Sequence, residues 1–571
     1  MSGIDISQMP SEAARRGEAA SLPKAKPARD QMRGRIRLAL GVFVLLYLII
    51  AGRLVMLGLQ DPASGNGYAG DSGIAANRPD LVDRNGEILA TDIKRASVYA
   101  EPRNIIDPDE ATELLTSVLP DLDATTLRKK LSTNAGFVWV KREVTPKQEA
   151  QIHELGIPGV GFMRESRRFY PGGDTASHLL GLVNIDNQGI AGFEKYVDDH
   201  WLADLHQVGF ARGEDLEPVK LSIDLRVQHI LRDELAAGLA RYQAVAGCGI
   251  VLDVHTGEVL AMVSLPDYDP NDPVDANKPD RLNRVSAGVF ELGSVFKSFT
   301  LAMGLDSGAI TMDDRIDATR GISVGRFTID DFHAKHRVLT VPEVFIFSSN
   351  VGAARIALKV GAARQQEYLR RFGLLSKVDT NIPEVGSPIV PARWGELTTM
   401  TVAFGHGIAV SPLAVAAGDA ALMNGGLLIP PTFTPRTREE AAKLAVRVVK
   451  PETSEKLKYL FRLNVEKGSG SKAAVPGYMV GGKTGTAEKV EGGRYSATKR
   501  LNSFLAAFPM DDPQYAVLVV IDEPKPEKPG AGATAAANAA PIVGNVIRRS
   551  AALLGVKPRL EEKDGAILVS N

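Results

Sequence analysis

The chain has 571 residues, 44% of them hydrophobic and 24% charged, with a formal net charge of −1. That length allows more than one domain, and near-neutrality argues against a nucleic-acid binder that relies on bulk positive charge. The single cysteine, Cys248, excludes an intramolecular disulfide and a cysteine-rich metal site, and reads as a small buried residue.

Residues 1–37, rich in Ala, Pro, Arg and Ser, read as a disordered cytoplasmic tail. Leu38–Gly52 carries no charge, and after Arg53 the apolar character resumes as far as Leu59. The 22 residues from Leu38 to Leu59 would make about 33 Å of helix, enough for one membrane span. Eight basic residues precede it (Arg15, Arg16, Lys24, Lys26, Arg29, Arg33, Arg35, Arg37), and no Lys or Arg lies between Arg53 and Arg78. The positive-inside rule then puts the N-terminus in the cytoplasm and the long C-terminal part outside. A cleaved signal peptide is the competing reading, disfavoured because the apolar stretch continues past Arg53.

A Gly/Ala/Ser-rich linker, 60–77, leads into a mixed segment, 78–220. It holds strand-like "ASVYAEP" and "FVWVKRE" and a helix-like "PKQEAQIHELG". "IHELG" lacks the second histidine of a zinc-protease helix. In the next helix Val227, Ile230, Leu231 and Leu235 share a face, and "CGIVLDVHTGEVLAMVSLP" reads as a hairpin turning at His255-Thr256-Gly257. Helices and strands then mix without βαβ alternation over 221–558, so the class is α+β. The stretch 525–541 reads as a flexible connection, Pro541 as the opening of a last amphipathic helix, and 559–571 as a loose tail.

S-x-x-K occurs four times, starting at Ser21, Ser294, Ser469 and Ser496, and only Ser294 sits where the geometry suits chemistry. Gly293 precedes it, and Val295, Phe296, Phe299, Ala302 and Met303 predict a mostly buried helix. Lys297 falls one turn from Ser294 on the same face. A buried ammonium loses hydration, so its pKa drops and it can serve as a base towards the serine. S-x-N occurs at Ser64, Ser132 and Ser348; Ser348-Ser349-Asn350 lies at a predicted helix start, where capping is the plain alternative.

Gly477–Thr484 also fits the phosphate loop G-x-x-x-x-G-K-T. Such a loop must open a helix, yet "TGTAEKVEGGRYSATKR" follows, with Gly492-Gly493 and one sizeable apolar residue. "LNSFLAAFP" and "YAVLVVID" read as strands, which puts Lys483 in an antiparallel meander and excludes nucleotide binding. Lys483-Thr484-Gly485 is the only K-T-G in the chain.

Together with "DRNGEILA", "RRFYPGGDTASHLLGLV", "GIAGFEKYVDD", "TGEVLAMVSLPDYDPN", "FELGSVFK", "FGHGIAVSPL" and "GGKTGTAEK", these motifs resemble the class B penicillin-binding proteins, nearest to the division-specific FtsI type. Leu292 stands where many relatives carry proline, which implies a slightly looser turn into the helix. The resemblance implies a penicillin-binding serine transpeptidase fold, an antiparallel sheet flanked by helices, behind a non-catalytic pedestal. It implies a peptidoglycan D,D-transpeptidase acting on stem peptides ending in D-Ala-D-Ala and on lipid-linked nascent glycan, and inhibited by β-lactams. Ser294 would be the nucleophile, Lys297 the general base, Ser348 the proton relay and Asn350 the holder of Lys297 and the substrate amide. Lys483, Thr484, Gly485 and Thr486 would receive the terminal carboxylate, and the amides of Ser294 and Thr486 would form the oxyanion hole. No cofactor or metal is implied; His333 and His336 read as loop surface, and His178 and Glu194 as structural. An FtsW-type glycosyltransferase and other division proteins would be partners, at the inner membrane with the catalytic part in the periplasm. An elongation-specific enzyme and a β-lactam sensor are the alternatives.

Overall fold

The computed structural model describes residues 78–202, 216–325, 327–530 and 532–559, with Leu40, Gly41, Val44, Leu45, Tyr47, Leu48, Ile50 and Ala51. These eight are helical, and their large apolar side chains are exposed. The rest of the expected span 38–59, the tail 1–37, the linker 60–77 and the end of the chain from residue 560 lie outside the described residues. Among the described residues no helix is long and apolar enough to cross a membrane. By its internal contacts the chain divides into Met1–Gly73 and Ile74–Asn571; the second unit holds everything that follows.

Its first layer is the pedestal. Strand Ile88–Ala100 pairs antiparallel with Val138–Val144, Val160–Phe169 and Leu81–Val82. Helices Pro108–Val118, Ala124–Leu131 and Pro146–Glu154 each begin at a side-chain cap: Asp107, Asp123, and the reciprocal Thr145–Gln148 pair. Their apolar faces bury Leu115, Leu127 and Ile152 against Val98, Ala100 and Val140, each such side chain stabilising by about 1.5–3 kcal/mol.

Charged residues tie the pedestal together and join it to the rest. Arg78 Nε donates to Glu194 Oε2 at 2.9 Å, Arg168 Nε to Glu194 Oε1 at 2.7 Å, and Arg168 Nη1 to Asp92 Oδ1 at 3.1 Å. Arg78 and Arg168 also donate to the carbonyls of Asn187, Glu194 and Pro79. Glu194 is therefore structural, and His178 rests its Nε2 2.7 Å from Arg281 O. Leu81–Val82 runs parallel to Val219–Lys220, where the chain enters the catalytic body, and Gln228 Nε2 donates to Thr175 O. Pedestal and catalytic body are thus one compact unit, because buried polar bonds and a shared ladder cross between them.

The catalytic body is built on a five-stranded sheet in the order Gly481–Glu491, Arg494–Phe508, Tyr515–Asp522, Ala246–Asp253, Val259–Leu265. Every neighbouring pair is antiparallel. Helices Leu225–Arg241 and Ala539–Ser550 cover one face; Phe296–Asp306, Pro412–Met423 and Pro451–Lys467 cover the other. With both faces covered, the middle strands read as continuous apolar runs, and Cys248 lies buried there, its thiol pushed up to about 12 by burial. The expected hairpin, meander and Val227–Leu235 face form. The last helix opens at Ala539, two residues before Pro541, because Asn538 Oδ1 accepts from Ala539 N at 2.8 Å; a first-turn proline is compatible with that, since its missing N–H would have no partner there. The connection before it is not loose throughout: Ala535 and Asn538 are buried, and Asn538 Oδ1 also accepts from Asn502 Nδ2.

Candidate active site

Gly481–Glu491 is the edge strand, and its free edge meets the turn that carries Ser294. The contact requires glycine on both sides. A Cβ on Gly485 would sit 2.3 Å from Leu292 O, and one on Gly293, whose φ is +61°, 2.8 Å from Thr486 O. Leu292 is fully buried, and its carbonyl accepts from Ser503 Oγ at 3.3 Å, which pins the turn where proline is absent. Ser294 itself lies in a short 3₁₀ turn, Gly293–Val295, that feeds helix Phe296–Asp306. Every residue of that helix is buried, Lys297 included.

Lys297 Nζ lies 2.9 Å from Ser294 Oγ, 2.8 Å from Asn350 Oδ1, 3.1 Å from Ser348 Oγ and close against Ser348 O. Burial holds its pKa well below the usual lysine range, and the charge of Lys483 pushes it further down. A neutral amine has two N–H bonds and one lone pair. The two carbonyl oxygens, Ser348 O and Asn350 Oδ1, carry no proton and so take the two N–H bonds. The lone pair is left for the Ser294 hydroxyl. The Asn350 amide is held in that orientation because its Nδ2 donates to Asp330 O at 3.0 Å.

The S-S-N turn divides its duties. Ser349, not Ser348, caps helix Asn350–Val360, accepting from Gly352 N at 2.9 Å. Ser349 Oγ also donates to Asp331 Oδ2 at 2.7 Å, and Asp331 Oδ1 accepts from Val351 N at 2.9 Å. Ser348 is thereby free of capping and takes the left-handed backbone, φ 55°, a conformation uncommon outside glycine and asparagine. Both its carbonyl and its hydroxyl consequently face the lysines.

Lys483 Nζ donates to Ser348 Oγ at 2.9 Å and to Thr484 O at 3.1 Å. It is fully buried, and burial brings its pKa down to about 7. Ser348 thus bridges the two lysines. Thr484 Oγ1 pairs with Ser469 Oγ at 2.7 Å, and Thr486 Oγ1 accepts from Ala535 N at 3.2 Å. The strand is held from behind by Asn464, whose Nδ2 donates to Gly482 O at 2.7 Å.

The structure therefore brings Ser294, Lys297, Ser348, Asn350 and Lys483 into one hydrogen-bonded group, with Gly485 and Thr486 beside the nucleophile turn and Thr484 next to Ser469. Sequence reasoning missed Asp330, Asp331 and Ala535, none of which carries a local motif, and it set Ser469 aside as a chance S-x-x-K without seeing that it would bind Thr484. Of the other S-x-x-K serines, Ser21 lies outside the described residues, Ser469 is bound to Thr484, and Ser496 Oγ accepts from Lys499 N. His333 and His336 are exposed. Among the described residues no cluster of His, Cys, Asp and Glu could hold a metal ion. A cavity of about 370 Å³ lined by Tyr196, Asp379 and Arg436, where pedestal meets catalytic body, contains none of the catalytic groups.

Known proteins resemble this chain in sequence and fold. Residues 247–548 fit the penicillin-binding protein transpeptidase domain and residues 73–200 the penicillin-binding protein dimerisation domain. The chain is 39% identical over 560 residues to the probable peptidoglycan D,D-transpeptidase FtsI of Caulobacter vibrioides, covering 96% of this chain and 92% of that protein. It is 29% identical over 504 residues to the peptidoglycan D,D-transpeptidase FtsI of Escherichia coli K12, covering 83% and 84%. Its fold matches penicillin-binding protein 3 of Mycobacterium tuberculosis, solved with aztreonam, at a TM-score of 0.65 and 23% identity, over 85% of this chain and 97% of the other. The match to a transpeptidase domain joined to a dimerisation domain, with the 39% identity to the Caulobacter protein over 96% of this chain, shows that the chain belongs to the class B penicillin-binding proteins.

Proposed function

We propose that this chain is a peptidoglycan D,D-transpeptidase that cross-links stem peptides ending in D-Ala-D-Ala during septal wall synthesis. The observation that carries the reading is Lys297: both its N–H bonds are committed to carbonyl oxygens, and its lone pair is left 2.9 Å from Ser294 Oγ. Ser294 Oγ attacks the carbonyl of the penultimate D-alanine while its proton passes to Lys297. Ser348 Oγ, hydrogen-bonded to Lys483 and 3.1 Å from Lys297 Nζ, relays a proton to the departing D-alanine amine. Lys483, with Thr484 and Thr486, receives the terminal carboxylate in a charge-assisted bond. The amides of Ser294 and Thr486 stabilise the oxyanion. An amine from a second stem peptide then resolves the acyl-enzyme. The edge position of Gly481–Glu491 in the sheet suits an extended peptide lying alongside it as an added strand.

The apolar stretch 38–59 serves as a single membrane anchor, with the basic tail in the cytoplasm and the catalytic body in the periplasm. Its small residues Ala39, Gly41, Ala51 and Gly52 suit close packing against a helix of an FtsW-type glycosyltransferase. The similarity to FtsI proteins supports the septal assignment over elongation. The test is covalent labelling with fluorescent penicillin. Ser294→Ala should abolish labelling in a chain that melts normally. Persistent label mapping to Ser469 or Ser496 would overturn the assignment.

A further inference from the structure

The hydrogen-bonded group around Ser294 contains two lysines, two serines and an asparagine, but no carboxylate. That suits acylation and leaves one step unprovided for. An amine acceptor reaches the enzyme mostly as an ammonium ion, which has no lone pair and cannot attack the acyl-serine ester until it loses a proton. Lys297, neutral again once a proton has left with the departing D-alanine, serves the one proton that returns to Ser294 Oγ, and Lys483 repels a cation.

Glu291, three residues before the nucleophile, has the chemistry that is lacking. Its carboxylate is half-buried and held from two sides, Oε1 accepting from Gly407 N at 3.1 Å and Oε2 from Tyr495 OH at 3.1 Å. The two donors come from elements packed on either side of the nucleophile turn. The Gly405–Gly407 stretch runs so close that a Cβ on Gly405 would lie 2.3 Å from Gly293 O. Tyr495 pairs with Val490 at the far end of the edge strand, beyond Thr486, whereas Lys483 lies on the near side. His406 stacks edge-on against Tyr495 at 5.3 Å, and burial together with the charge of Lys297 holds its imidazole down at about 4. His406 is therefore neutral and does not neutralise Glu291. Glu488, the other carboxylate acting on Tyr495, is exposed and lies across the ladder from Arg500.

A carboxylate has about four acceptor positions, and the two donors leave room for a third. Burial also raises the Glu291 pKa above the usual glutamate range, which brings it nearer to the value a general base needs.

We propose that Glu291 is a catalytic residue of the second half-reaction, binding the acceptor's ammonium group on the side of Ser294 away from Lys483 and accepting its proton. The step balances. One N–H proton of R–NH₃⁺ moves to the Glu291 carboxylate, and the freed lone pair forms the C–N bond to the acyl carbon. The C–Oγ bond breaks, and a second amine proton returns through Lys297 to Ser294 Oγ. Glu291 then releases its proton to water. The products are the new amide and the free serine.

This rests on the transpeptidase reading, and the experiment keeps the two separate. The full-length protein in detergent is given a D-alanyl thioester donor, with D-alanine as acceptor and water as competitor; penicillin labelling measures acylation alone. Glu291→Gln preserves the size of the side chain and an oxygen for Gly407 N. It should lower aminolysis about tenfold or more beyond any loss of acylation, within the range expected of a general base, and raise the KM for D-alanine. Glu291→Asp should recover part of that loss. With hydroxylamine, which is largely unprotonated at neutral pH, the Gln variant should regain most of its aminolysis. Equal losses of acylation and aminolysis, an undiminished loss with hydroxylamine, or no loss would each overturn the proposal. Absence of penicillin labelling in the unaltered protein would instead overturn the parent reading.

Discussion

The pedestal and the catalytic cleft both bury charged side chains completely, with opposite results. In the pedestal, burial alone would lower the Arg168 pKa, but the charges of Glu194 and Asp92 outweigh it and the guanidinium is held more firmly protonated. Arg78 and Arg168 each meet a carboxylate and backbone carbonyls, so few of their donors are left unpaired. In the cleft, Lys297 and Lys483 are as deeply buried as Arg168, but Ser348 stands between them in place of a carboxylate. Burial then outweighs the charge of Asp331, which offsets it only in part at Lys297, and both lysines are pushed towards neutrality. Buried opposite charges make a rigid joint; buried like charges make a base and a proton relay.

The strongest way to break this comparison is to remove one member on each side. Lys297→Met should lower acylation by penicillin about 10²- to 10⁴-fold, the usual contribution of a general base. Its thermal melting should change little, because removing the cost of burying an amine offsets the hydrogen bonds it gave to Ser348 O and Asn350 Oδ1. Glu194→Gln should do the reverse. It leaves two buried guanidinium groups short of a partner and should cost about 3–5 kcal/mol of stability, read by urea denaturation. If the Lys297 variant melts lower than the Glu194 variant, the contrast fails.

A smaller effect sharpens it. Lys483→Ala should reduce acylation by carboxylate-bearing penicillins by about 10- to 150-fold, or roughly 1.5–3 kcal/mol for a charge-assisted bond, and acylation by neutral analogues far less. In the unaltered protein the Lys483 ammonium is present below about 7 and lost above it. Acylation by carboxylate-bearing substrates should therefore decline as pH rises through that value, with neutral analogues unaffected. The same shift has a stability counterpart. Between about 7 and the ordinary lysine value of 10.5 the unfolded chain binds the extra proton, so folding stability gains from this group as pH rises across that window. Equal pH profiles for charged and neutral acylating agents would make Lys483 a proton-transfer group only.

The smallest expected effect concerns Asp331. Asp331→Asn can still accept from Val351 N but no longer supports the Ser349 hydroxyl as a carboxylate does. Acylation should fall about fivefold, near 1 kcal/mol for one hydrogen bond, through a loosened Ser348. Stopped-flow acylation with an unchanged melting curve would separate this from simple unfolding.

Much of the molecule was written locally. The apolar strand runs of the meander, the 3.6-residue face of Leu225–Arg241 and the capping pair Thr145–Gln148 all depend on neighbours a few residues apart, which the sequence displays directly. So do the Ser294–Lys297 spacing and the exclusion of a phosphate loop, because Gly492-Gly493 forbids a helix within a few residues of Lys483. The tertiary structure decided what depends on distant partners. Lys297 meets Asn350 across 53 positions, Lys483 meets Ser348 across 135, and Tyr495 meets Glu291 across 204. Only the fold showed that Ser349 takes the cap and leaves Ser348 in a left-handed turn, that Asp331 supports this division, and that Ala535 returns from a Gly/Ala-rich loop to Thr486. A local hydrogen bond depends on residues that neighbour each other in the chain, so its signature survives in the sequence. A convergent one depends on where folded elements stop, and no short stretch of sequence contains that information.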